Sequence, residues 1–270
     1  MRRERRERRA ARLLHAAAAT LAAGVVTDST AEHYRAGFHN RVMFVAPAVS
    51  SAALAAALTA TAVPDGRSLV RRAVYAASVA TGLVGAGFHL RNVSRRPGGW
   101  TSSNVFHGAP LAAPLAITMA GLLGLAAARL GNRPAPTTQM ARPLGVLSAL
   151  GLLGTSAEAT ALHFRGAFQN PFMYAPVALP PLAAVTLATA ACTHSATTRA
   201  TAGNLLRLTG WLGMIGTGFH AWGVHRRMGG WRNWRQNLLA GPPLPAPPAF
   251  TGLALAGLAA LALLRGDRAR

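Results

Sequence analysis

The histidines of this chain that could do chemistry come in pairs. His33 and His163 each stand two residues before an arginine, in AEHYRAGF and ALHFRGAF, and His89 and His220 each close a GxGFH run. A neutral imidazole offers a lone pair to a metal ion, and two imidazoles from two helices make the axial set of a b-type haem. If His33 meets His89 and His163 meets His220, the chain presents two such sites. Haem b or a metal ion is the cofactor expected, with the choice between them open. The structural alternative is that the same rings hydrogen-bond neighbouring helices inside a membrane.

Around them lies a second polar set. At 100° per residue Asp28, Glu32, Arg35 and His39 fall within about 60° of arc, a single stripe along a helix, with His33 about 140° around from it. The later copy reads Glu158, Arg165 and Gln169, and Asn40 and Asn170 follow in register. An acid with an arginine is the cheaper way to carry charge within a membrane span, so this set is read either as part of a site or as a staple between helices.

A third set forms a rim. RNVSRRPGGWTSSN and VHRRMGGWRNWRQN each pair two arginines with Gly-Gly-Trp, placing Arg95, Arg96 and Trp100 against Arg226, Arg227, Trp231 and Trp234. Glycine pairs permit a tight turn, tryptophan favours the headgroup zone, and arginine attracts phosphate. The rim is read as a membrane-surface anchor or as a docking surface for a periplasmic protein, the second loop being the richer in anchors. The run GPPLPAPPAF after it is expected to be an extended, stiff lead-in to the last span.

These residues need helices to hold them. Of 270 residues 51% are hydrophobic and 13% charged, and the net charge of +21 comes from 28 arginines lying mostly between Ala/Leu/Gly/Val runs. That pattern excludes a disordered chain and argues against nucleic acid as the partner; the bilayer takes its place. A span needs about 20 apolar residues. Eight are expected, over 12–31, 42–63, 69–90, 108–129, 143–162, 172–193, 203–222 and 249–265, making an all-α, polytopic helical membrane protein. The first run is read as a retained span rather than a cleaved signal. With the Arg-rich start inside, the cytoplasmic segments hold 18 of the 28 arginines, which puts both termini in the cytoplasm of a bacterial inner membrane. Cys192 stands alone, so no disulfide forms within the chain.

The chain also repeats itself. Asp28–Phe44 aligns without gaps on Glu158–Tyr174 with seven identities in 17, and Gly85–Trp100 on Gly216–Trp231 with ten in 16. NVFHGAPLAAPLA, from Asn104, pairs with NLLAGPPLPAPPA, from Asn237. Recurrence in one order at offsets of 130 to 133 marks a duplication. The expected organisation is a cytoplasmic tail (1–11) and two parallel four-helix repeats (12–135 and 136–270), related by a pseudo-two-fold axis along the membrane normal. The matched blocks all fall on the non-cytoplasmic side. No Walker loop, HExxH or GxSxG is present, so the chain is read as a membrane subunit rather than an enzyme by itself. Its function is expected to be a duplicated His/acid/Arg site that binds haem or metal or docks a redox partner. A membrane scaffold and a parallel-repeat transporter are the alternatives.

Overall fold

The structure, a computed structural model, describes residues 2–62, 68–108, 110, 113–132 and 137–264. Every regular element in it is helical. In chain order these are α1 (Arg2–Arg35), α2 (Val45–Ala62), α3 (Leu69–Ser94), α4 (Ser102–His107), α5 (Ala113–Asn132), α6 (Thr137–Arg165), α7 (Ala175–Cys192), α8 (Ala196–His225), α9 (Trp234–Ala240) and α10 (Pro248–Leu264), with 3₁₀ turns at Arg41–Phe44, Pro171–Tyr174 and Gly230–Asn233. Serine opens α3 and α8 in the same way: Ser68 and Ser195 each accept a hydrogen bond from the backbone N–H three residues on.

Six helices among the described residues are long and apolar enough to cross a membrane: Arg3–Arg35, Arg41–Ala62, Leu69–Ser94, Ala113–Gly131, Gln139–Arg165 and Pro171–Cys192. α10 is apolar but shorter, at 17 residues. α8 has the length, yet its Arg, Thr, Gly and His content makes it less apolar than the six. Among the described residues each of the eight expected runs overlaps a helix. Most of these helices outrun the apolar stretch that marks them, because arginine and histidine extend a helix beyond the part that hydrocarbon would cover.

α1, α5, α6 and α10 form the centre. α1 packs on α2, α5 and α10, and α6 packs on α7 and α10; α3 lies on α5, and α8 on α7 and α10. The core is small-residue packing around Leu14, Leu21, Leu123, Leu152, Leu187, Leu206, Leu253 and Leu261. Two polar features sit inside it. His15 Nδ1 and Tyr75 Oη share a hydrogen bond of 3.1 Å. Arg199, only 4% exposed, donates to the carbonyls of Leu264 and Thr193, answering acceptors that two helix ends leave open.

A strict two-fold between the halves would make the α1–α10 and α6–α5 seams alike. They differ: α10 lies along α1, whereas α5 and α6 barely touch. A Cβ added to Gly252 would meet Leu21 Cγ at 3.0 Å and the Ala17 carbonyl at 3.2 Å. At the aligned positions the second seam carries Met119 against Gly151, the same large-on-glycine contact with the sizes exchanged between the two helices.

Candidate functional site

α1, α3, α6 and α8 end, and α2, α5, α7 and α10 begin, at one end of the bundle, so the three repeated blocks meet there. At the end of α1 the chain turns through Gly37 and Phe38, both at positive φ, with Phe38 N–H donating to the His33 carbonyl at 2.9 Å. Asn40 then caps the following 3₁₀ turn by accepting from Val42 N–H. After α6 the sequence repeats each step: Ala167 and Phe168 take positive φ, Phe168 N–H donates to the His163 carbonyl, and Asn170 accepts from Phe172 N–H. Phe38 stacks on Phe44 at 4.2 Å between centroids, and Phe168 on Tyr174 at 4.5 Å.

The histidines lock these turns. His33 Nδ1 lies 2.5 Å from the Met43 carbonyl oxygen and His163 Nδ1 2.8 Å from that of Met173. His89 Nδ1 lies 2.7 Å from the Pro110 carbonyl and His220 Nδ1 2.6 Å from that of Pro243. A carbonyl only accepts, so in all four rings Nδ1 carries the proton, and in the neutral ring the lone pair is on Nε2. This carbonyl-bound tautomer is the one in which a histidine presents Nε2 to a metal. Among the described residues no group of three or more His, Cys, Asp and Glu side chains comes together for a metal ion.

The expected polar stripe is shorter than the sequence suggests. α1 ends at Arg35 and α6 at Arg165, so His39 and Gln169 leave the helix, and His39 Nδ1 bonds the Ala36 carbonyl instead. Arg35 pairs with Glu32 at 2.6 Å, three residues away and half exposed, rather than with Asp28. Arg165 sits 6.0 Å from the centre of the Phe106 ring of α4, which also meets Phe164 edge-on. The other half makes the reverse contact: Arg235 of α9 lies over the Tyr34 ring and donates to its hydroxyl. These two cation–π contacts clasp the halves together.

Some of the glycines before His89 and His220 receive a neighbouring helix. A Cβ at Gly82 would come 2.1 Å from Thr118 Oγ1, and one at Gly213 would come 2.3 Å from Thr251 Oγ1, so α5 and α10 take up the smooth faces. Gly87 and Gly218 meet nothing. The rim turns form as expected, with Gly98, Gly99, Gly229 and Gly230 at positive φ. Sequence reasoning did not assign the asparagines that hold them. Asn104 Nδ2 donates to the Pro97 and Gly99 carbonyls, and Asn237 Nδ2 to those of Met228 and Gly230. The signal was there, since each asparagine opens a repeated block. The proline run is not extended as expected. It turns, with Ala246 N–H bonding the Pro243 carbonyl, because α10 must double back onto α1.

Arg95, Arg96, Arg226 and Arg227 are exposed, as are Trp100, Trp231 and Trp234. Two shallow, open recesses in the surface lie along α8, lined by Ile215, Gly218, Phe219 and Trp222 and by Gly218, Ala221, Trp222, His225 and Trp231. His220 is roughly 160° around the helix from Trp222, so these are separate from the histidine pairs. Comparison with known proteins returned no match: no family model, curated protein or solved structure is similar enough to the chain to guide its assignment.

Proposed function

We propose that this is a multi-pass membrane protein of two parallel four-helix repeats, with both termini on the cytoplasmic side of a bacterial inner membrane. Its outward face carries a two-histidine site in each repeat. His33 with His89, and His163 with His220, would supply Nε2 to a haem iron as an axial pair, or to a metal ion whose remaining positions go to water or a partner. The redox partner would dock on the Arg/Trp rim. The repeat reading is supported by bonds that recur at aligned positions, and the ligand reading by one observation above the others: all four imidazoles commit Nδ1 to a backbone carbonyl.

The test is an absorption spectrum with elemental analysis of detergent-purified protein, before and after dithionite. A Soret band that sharpens on reduction and is lost in His163→Ala or His220→Ala establishes haem; stoichiometric metal lost in the same variants establishes a metal centre. Colourless, metal-free protein sinks the reading and leaves the scaffold reading. The scaffold has its own support, because those same bonds and the two clasps already give the polar residues structural work.

A further inference from the structure

The recess on α8 consists of two shallow adjoining hollows that share Gly218 and Trp222. Its floor is Gly218, where an added Cβ would meet no atom within 4 Å, and its walls are Ile215, Trp222 and Trp231. His225 lies between the indoles, 5.4 Å from Trp222 and 6.4 Å from Trp231 by ring centroids. The positions aligned with Trp222 and His225 are Arg91 and Ser94, so the first half keeps the open glycine, Gly87, and the turn tryptophan, Trp100, but lacks the two rings between them. Directly beyond the recess come Arg226, Arg227 and Arg232, all exposed and without an ion pair to any described carboxylate.

An apolar slot parallel to a helix that ends in unneutralised arginines matches a molecule with a chain at one end and an anion at the other. We propose that this recess is a binding site for one anionic phospholipid, with an acyl chain along Gly218 and Trp222 and the headgroup phosphate on Arg226 and Arg227. Charge complementarity fixes the headgroup: Arg226, Arg227 and Arg232 face outward with nothing acidic paired to them, and tryptophan at the turn sets the depth of the glycerol region. The proposal rests on the membrane reading and shares Arg226, Arg227 and Trp231 with the proposed docking rim, but it uses none of the four paired histidines, so the lipid site and the histidine site stand or fall separately.

The test is tryptophan quenching in delipidated, detergent-solubilised full-length protein, titrated with phosphatidylglycerol or phosphatidylcholine carrying brominated acyl chains. Phosphatidylglycerol is expected to reach half-maximal quenching at a concentration at least fivefold lower than phosphatidylcholine. Gly218→Leu, which fills the slot, should remove the tight phase, while Gly87→Leu leaves it intact. Arg226→Gln with Arg227→Gln, both exposed, should abolish the headgroup preference. Equal titration by the two lipids overturns the proposal, as does a Gly218→Leu protein that titrates like the parent. Inorganic phosphate that displaces the lipid completely at millimolar concentration would also overturn it, since the chain would then contribute nothing.

Discussion

Ala167 occupies a backbone conformation that its aligned partner gives to glycine. Its φ of 56° costs an L-residue about 1–2 kcal/mol, part of which glycine returns in unfolded-state entropy. Ala167→Gly is therefore expected to stabilise the protein by about 0.5–1 kcal/mol, read as a higher melting temperature in detergent. Asn237, 3% exposed, carries two bonds to the Gly-Gly turn, and Asn237→Ala should cost about 1–2 kcal/mol by removing both and leaving a space where the buried amide stood. Asn237→Asp should not rescue it, because a carboxylate cannot donate to the turn carbonyls. These residues show what was legible. The histidines, Asn40, Asn170 and the paired glycines all announced themselves by recurrence. What each bonds to did not, because a carbonyl ten to twenty-three residues downstream has no sequence signature.

Helices were the easiest elements to read, and their ends the hardest. His39 was expected on the α1 stripe, but a Schellman-type turn ends the helix at Arg35; periodicity alone does not register a residue at positive φ. The GxGFH runs of α3 and α8 were legible by their recurrence, while the helices that pack on the glycines were not. Their use by α5 and α10 makes a sharp contrast testable. Gly82→Leu and Gly213→Leu should each cost about 3 kcal/mol or more, since the first added carbon already overlaps a threonine and a backbone carbonyl. Gly87→Leu, facing open space, should stay within about 0.5 kcal/mol. Thermal unfolding of the three variants in one detergent separates packing glycines from those that are merely small.

For the whole molecule, the proposed topology places Cys192 and Met228 on opposite sides of the membrane. Met228 is 91% exposed and Cys192 is exposed at the end of α7. In right-side-out vesicles a membrane-impermeant maleimide should label Met228→Cys in a Cys192→Ser background and spare the parent's Cys192; inside-out vesicles should reverse this. The opposite pattern would invert the orientation. The duplication was legible in the sequence and the inequality of its two central seams was not, because Leu21 with Gly252 and Gly151 with Met119 each set a large side chain against a glycine and so give no sign of it. The closed seam also has a consequence for biosynthesis. α1 leaves the ribosome first among these helices, yet one of its faces is completed only by α10, more than two hundred residues later. Until then that face must be covered by lipid or by the insertion machinery, and the bundle cannot close co-translationally from its start. A chain stopped before α10 should therefore insert yet remain sensitive to protease, with α1 and α6 both lacking the helix that joins them.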